Sequence, residues 1–270
     1  MQKSQKNTTY LFILLLISMI TYSGCGSYQH ILKKGTVEEK YEAGIKYYEK
    51  GDYFRAIQLF EDILPIMRGK KEGELMEFYL AKAYYEQGDH ILSSEVAVNF
   101  YETYNRSQYA EEALFLYAKS LYNSSPHYDL DPTPTREAIA AIQVFLNNYP
   151  SSTFVPESEK MLTELRGKME LKDFEQAKLY YKLENYNAAI VAFTNFENDF
   201  PSSLLKEESV FLKLEAGYLF ARNSIDAKKK ERYQKTVSLY EEFIDQYPQS
   251  KFLKKAELYY EESLNHVKHN

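Results

Sequence analysis

The chain has 270 residues and a net charge of −6, with lysines and acids interspersed along it. That argues against a nucleic-acid partner, because phosphate binding needs a clustered basic surface. Only 10 glycines and 8 prolines argue against an all-β fold rich in tight turns, and 26 tyrosines with no tryptophan point to helices packed with amphipathic rings or to an exposed aromatic surface.

The N-terminus reads as a secretory signal peptide: Lys3 and Lys6, an apolar run over 11–20, then small and polar residues. The run is about half the ~20 apolar residues a membrane-spanning helix needs. Ser23, Gly24 and Cys25 resemble a bacterial lipobox, with Tyr22 in place of the usual Leu. Cys25 is the only cysteine, so it has no disulfide partner within the chain. The resemblance implies that its thiol is alkylated with diacylglycerol and that it becomes the new N-terminus. Two or more acyl chains on one residue suffice for stable anchoring. Gly26 and Ser27 follow, without the Asp that favours inner-membrane retention, which resembles an outer-membrane address. The expected organisation is a signal peptide over 1–24, a lipidated tether over 25–35 and a helical domain over 36–270.

Within that domain "AGIKYYEKGDYFRAIQLFEDILP" fits the tetratricopeptide (TPR) pattern of about 34 residues per helix pair. Gly44 and Ala56 let antiparallel helices approach, Tyr47 and Phe60 fill the space beside them, and Gly51-Asp52 forms the turn. "YLAKAYYEQGDH" repeats the first half, and "QAKLYYKLENYNAAIVAFTNFENDFP" is the best later copy. Two copies carry insertions, "NSSPHYDLDPTPT" and "RNSIDAKKKERYQ". Fragments starting at Tyr104, Tyr149, Phe200 and Tyr247 each end a helix on an aromatic and offer a serine to cap the next. A long helix is expected from Val155 to Leu183. The fold expected is an all-α TPR solenoid of five repeats and a C-terminal helix, stacked into a superhelix with a concave face.

The layout from lipobox to final helix resembles the BamD (YfiO) family. The most specific stretch is "DLDPTPTREAIAAIQVFLNNYPSS", an acidic, Thr-rich turn followed by "TREAI", an aromatic-containing helix and "YP-S". The resemblance implies an outer-membrane lipoprotein that faces the periplasm and takes part in β-barrel assembly. It would bind BamA through the C-terminal repeats and unfolded outer-membrane proteins through the N-terminal ones. Another TPR scaffold lipoprotein of the cell envelope would share every fold feature and lack BamA. A SusD-like nutrient-binding lipoprotein would need far larger insertions.

No catalytic constellation, cofactor motif or metal site is expected. His266 and His269 stand at helical spacing, but no acid or cysteine arrangement completes a ligand set, and they read as solvated tail residues. The basic run over 227–235 reads as a solvated loop.

One aromatic pattern goes beyond generic packing. Tyr48, Tyr85, Tyr122 and Tyr181 follow the packing tyrosines, and Tyr41, Phe78, Phe115 and Phe174 lie seven residues before them. These pairs sit about two turns apart on the first helix of each repeat. Lys82, Lys119 and Lys178 stand beside them. Such a ladder suits an extended peptide with aromatic side chains and a C-terminal carboxylate. The candidate groove is therefore Tyr41, Tyr48, Phe78, Lys82, Tyr85, Phe115, Lys119 and Tyr122. The same positions serve equally to pack rings between repeats, and the pattern alone does not separate a groove from a core.

Overall fold

The computed structural model describes residues 27–269. The signal peptide and Cys25 lie outside the described residues. Among the described residues every regular element is helical: α1 (27–34), α2 (Val37–Glu49), α3 (Tyr53–Met67), α4 (Lys71–Glu86), α5 (His90–Thr103), α6 (Ala110–Ser124), α7 (Thr133–Asn148), α8 (Val155–Lys182), α9 (Tyr186–Asp199), α10 (Lys206–Arg222), α11 (Asp226–Gln246) and α12 (Leu253–His269). The pairs α2–α3, α4–α5, α6–α7, α8–α9 and α10–α11 are the five repeats, and α12 is the final helix.

The turn inside a repeat is built by two adjacent residues acting together, a glycine and an aspartate. Gly51 and Gly88 adopt φ of 74° and 82°, a left-handed conformation that glycine takes at little cost. Their amides donate to the carbonyls of Tyr48 and Tyr85, and the next amides, of Asp52 and Asp89, donate to Tyr47 and Tyr84. This doubled bond closes the first helix. The same aspartates then cap the second helix, accepting from the amides of Arg55 at 3.3 Å and Leu92 at 3.2 Å. The fourth repeat makes the same backbone bonds with Glu184 in the glycine's place, at φ 58°.

Close approach of paired helices rests on small residues. A Cβ on Gly44 would stand 2.4 Å from Phe60 Cε1, and Ala56 and Ala189 are fully buried. Threonine takes the alanine's place in the fifth repeat, where buried Thr236 donates its hydroxyl to the Arg232 carbonyl at 3.1 Å.

The turn between repeats is equally regular. Tyr104, Tyr149, Phe200 and Tyr247 each donate their amide to a phenylalanine carbonyl four residues back. Ser107, Ser152, Ser203 and Ser250 then accept, through Oγ, from the amide two residues on, at 2.9–3.0 Å. The serines therefore order the turn itself rather than capping the next helix. Three of them also donate to a glutamate of the preceding repeat: Ser107 to Glu74, Ser203 to Glu170, and Ser250 to Glu207.

The chain forms two compact units: one up to Ser125 together with Thr133–Leu162, the other Pro126–Pro132 together with the residues from Thr163 onward. In the first, Phe60, Ile63, Met76 and Leu80 centre the core of α2–α4, and Phe78, Phe100 and Ala113 continue it through α6. In the second, Phe174, Phe193 and Phe196 join α8 to α9, and Tyr233, Phe243 and Tyr259 join α10–α12. Burying one such ring contributes about 1.5–3 kcal/mol.

Three segments differ from the sequence-based expectation. The tether holds a helix, α1, because Tyr28 is 3% exposed and packs edge-on against Tyr47 at 5.6 Å, with its hydroxyl on Gln58. The basic run over 227–235 is helical, not a loop. Buried Tyr233 draws it onto α10 and α12, and pairs such as Lys235–Glu231 at 2.9 Å occupy its outer face. His266 is not a free tail residue: its ring stacks on Tyr233 at 4.3 Å and 2°.

Candidate peptide-binding face

The candidate groove residues all lie in the first compact unit, on α2, α4 and α6. The structure sorts them into two depths. Phe78 and Phe115 are 2% and 5% exposed. Phe78 stacks on Tyr109 at 4.7 Å and meets Phe100 at 5.7 Å. Phe115 stacks on Phe154 at 4.3 Å and meets Phe145 at 5.5 Å. These two rings are core and offer no open face to a peptide. The reason lies in the inter-repeat turn, whose ordering serine places an aromatic two residues on directly against the phenylalanine. Phe252 does the same to Phe211 at 4.4 Å in the second unit. That aromatic was visible in the aligned fragments as S-x-Y or S-x-F, but its ring partner was not.

The tyrosines lie shallower. Tyr41, Tyr48, Tyr85 and Tyr122 are all half-buried. Tyr48 stacks on Tyr79 of the next repeat at 4.2 Å, and burial pushes its hydroxyl pKa well up. Burial raises Tyr41 as well, and neighbouring Glu72 adds to the shift. Tyr85 accepts from Asn123 Nδ2 at 2.9 Å and lies beside the His90 ring at 5.1 Å.

Both lysines of the site are engaged within the fold. Lys82 Nζ pairs with Glu112 at 2.6 Å and stands 5.3 Å from the Phe78 ring centre. Lys119 Nζ pairs with Glu157 at 2.9 Å and stands 5.5 Å from both Phe115 and Tyr85. Burial pulls the Lys119 pKa down, but Glu157 and Tyr85 outweigh it and leave it raised. In the second unit Lys178 repeats the arrangement over Phe174 at 5.0 Å, pairing with Glu175 and Glu208. Glu112, Glu157 and Glu208 each stand five residues after an ordering serine, a regularity that spacing alone could have exposed. The face is thus a row of half-buried tyrosines over a phenylalanine core, edged by paired charges. It can stack rings and accept or donate hydrogen bonds, and a ligand carboxylate must compete with Glu112 or Glu157 for its lysine.

A second concavity, of about 590 Å³, lies in the second compact unit over α9, α10 and α11. Its lining includes Ile190, Gly217, Phe220 and Leu239 together with Arg232, Lys235 and Glu242.

Known proteins match this chain along most of its length. The family model described as YfiO, outer membrane lipoprotein, matches residues 33–234. A putative outer membrane protein assembly factor BamD of Aquifex aeolicus is 26% identical over 186 residues, 68% of this chain, and the match spans 61% of that relative. Outer membrane protein assembly factor BamD of Vibrio cholerae is 20% identical over 212 residues, 74% of this chain and 88% of the relative. A solved structure, the TPR2AB-domain:pHSP90 complex of yeast Sti1, aligns over 84% of this chain and 98% of that one at 11% identity. Its TM-score of 0.38 is too low to carry the fold, which rests on the repeats' own geometry. With the family model spanning α2 to α10 and into α11, this chain belongs to the YfiO family of outer membrane lipoproteins.

Proposed function

We propose that this chain is a non-catalytic assembly factor of the outer membrane, acylated on Cys25 and facing the periplasm. It binds BamA and unfolded outer-membrane β-barrel proteins during their insertion. The family match over residues 33–234 carries this reading, and the relatives named as assembly factors support it. Substrate is assigned to the tyrosine row Tyr41, Tyr48, Tyr85 and Tyr122, whose half-buried rings can stack aromatic side chains and still keep a polar edge. BamA is assigned to the C-terminal repeats, where the lining of the concavity over α9–α11 mixes apolar and charged side chains.

Affinity capture of the tagged chain from detergent-solubilised outer membrane tests the reading. BamA should co-purify in near-stoichiometric amount. Capture of other envelope proteins without BamA would replace this reading with that of a different TPR scaffold.

A further inference from the structure

The way α1 is docked fixes which end of the first compact unit faces the anchor. Tyr28 is buried between Tyr47 at the end of α2 and the first turns of α3, where Arg55 stands 5.3 Å from its ring and Gln58 accepts its hydroxyl. Ser27 and Ile31 share a cleft with Lys46 of α2 and Lys50, the residue that caps its C-terminus. The chain therefore emerges at Ser27 beside the α2–α3 turn. Cys25 is two residues away, a reach of at most about 7 Å.

That end of the unit exposes apolar side chains. Phe54, in the first turn of α3, is 60% exposed and lies one turn from Gln58. Ile91 and Leu92, in the first turn of α5, are 72% and 36% exposed. Consecutive helices here alternate in direction, so the α2–α3 and α4–α5 turns lie at the same end. Phe54 and Ile91 hold the same position, second in the second helix of successive repeats. What sets these two matched apolar side chains apart is their place on the edge where the chain emerges at Ser27, and the lipid surface is the apolar medium that the chain's own end brings closest.

We infer that the turn edge of the first two repeats is a membrane-contact surface: Phe54 and Ile91 enter the interface of the bilayer that holds the acyl chains of Cys25. The contact orients the first unit on the lipid rather than leaving it on a free tether. It rests on the acylation proposed above.

The chain has no tryptophan, so a single introduced indole reports its own surroundings. Phe54→Trp, Ile91→Trp and, as reference, Ile66→Trp would each be made in the full acylated chain. Ile66 is 51% exposed and lies twelve residues along α3 from Phe54, about 18 Å toward the opposite end. The chains would be placed in phosphatidylethanolamine–phosphatidylglycerol vesicles with and without brominated acyl chains. Phe54→Trp and Ile91→Trp should shift to the blue and lose about half their emission to bromine, as for groups about 5–10 Å into the interface, while Ile66→Trp should not change. Either probe behaving like Ile66→Trp in an acylated, vesicle-bound chain overturns the membrane contact and leaves the anchor standing. A free Cys25 thiol by mass spectrometry overturns the anchor and the contact together.

Discussion

Glu215 and Lys255 pair at 2.6 Å with their charges exchanged relative to every matched pair before them. In the second, third and fourth repeats a lysine four residues after the core phenylalanine meets a glutamate of the next repeat: Lys82–Glu112, Lys119–Glu157 and Lys178–Glu208. In the fifth repeat the glutamate follows Phe211, and the lysine comes from α12. The ammonium still stands over the core ring, 5.6 Å from Phe211. A cation thus recurs at the rim of Phe78, Phe115, Phe174 and Phe211, whichever helix supplies it. The first repeat has neither charge, with Ile45 and Leu75 at the matched positions.

Burial separates these pairs energetically. The Glu215 side chain is 8% exposed and also accepts from the Tyr259 hydroxyl at 2.5 Å, whereas Lys82 and Glu112 are 32% and 39% exposed. Lys255→Ala strands a buried carboxylate and should cost about 2–4 kcal/mol. Lys82→Ala leaves Glu112 to water and should cost about 1 kcal/mol or less. Urea denaturation of both variants checks the order, and equal losses would refute it.

The helix spacing is tested at Ala56 and Ala189, both fully buried. Leucine at either place forces side-chain volume between helices already in contact and should destabilise by about 1–3 kcal/mol. Two neutral substitutions would mean that the paired helices can part without loss.

The repeat frame was legible because its residues act locally. A glycine in a left-handed turn, an aspartate cap and an alanine at a helix crossing leave their marks at fixed offsets, and the helix from Val155 ends one residue from the expected boundary. What stayed hidden depends on contacts far along the chain. Phe78 looked like a groove residue because nothing in α4 reveals that Tyr109, 31 residues on, covers it. Lys82 looked available because Glu112 is 30 residues away. The helical extension of α11 was obscured by its charge, since the single buried ring that holds it, Tyr233, sits among lysines.

Glu184 is the one non-glycine described with positive φ, where two other repeats place glycine. A side chain there costs roughly 1–2 kcal/mol in backbone sterics, part of which glycine gives back as unfolded-state entropy. Glu184→Gly should therefore stabilise by about 0.5–1 kcal/mol, and Gly88→Ala should destabilise by about 1 kcal/mol. Thermal melts of the two variants should move in opposite directions; movement in the same direction would contradict the strain.

Glu77 is 1% exposed. Desolvation raises its pKa above the ordinary 4.5, and the Tyr104 hydroxyl at 3.1 Å and Arg68 at 3.7 Å only partly offset it. A raised carboxyl pKa means that the folded chain holds this proton more tightly than the unfolded one. Its contribution is complete below about pH 4.5 and is lost as pH rises through the folded value. Glu77→Gln keeps an acceptor for Tyr104 and removes the ionisation. Its melting temperature relative to the parent should climb as pH rises above about 4.5. A difference that falls over that range would show Arg68 to be the stronger influence.

The two depths of the aromatic ladder make distinct demands on stability and binding. Phe78→Ala and Phe115→Ala empty buried sites and should each cost about 3–5 kcal/mol. Tyr85→Ala removes a half-buried ring, should cost less, and should weaken a bound peptide by about 2 kcal/mol if that ring is a binding hot spot. A synthetic peptide ending in alternating aromatics serves as ligand, with a free carboxylate or an amide at its terminus. In the parent chain Lys82 is already paired with Glu112, so the preference for the acid over the amide should be small. Glu112→Gln frees the ammonium, and the acid form should then gain about fivefold, near the 1 kcal/mol of a partly exposed charge pair. The gain should shrink as salt rises. Unchanged acid preference in Glu112→Gln, with unchanged peptide affinity in Tyr85→Ala, would move substrate recognition away from this face.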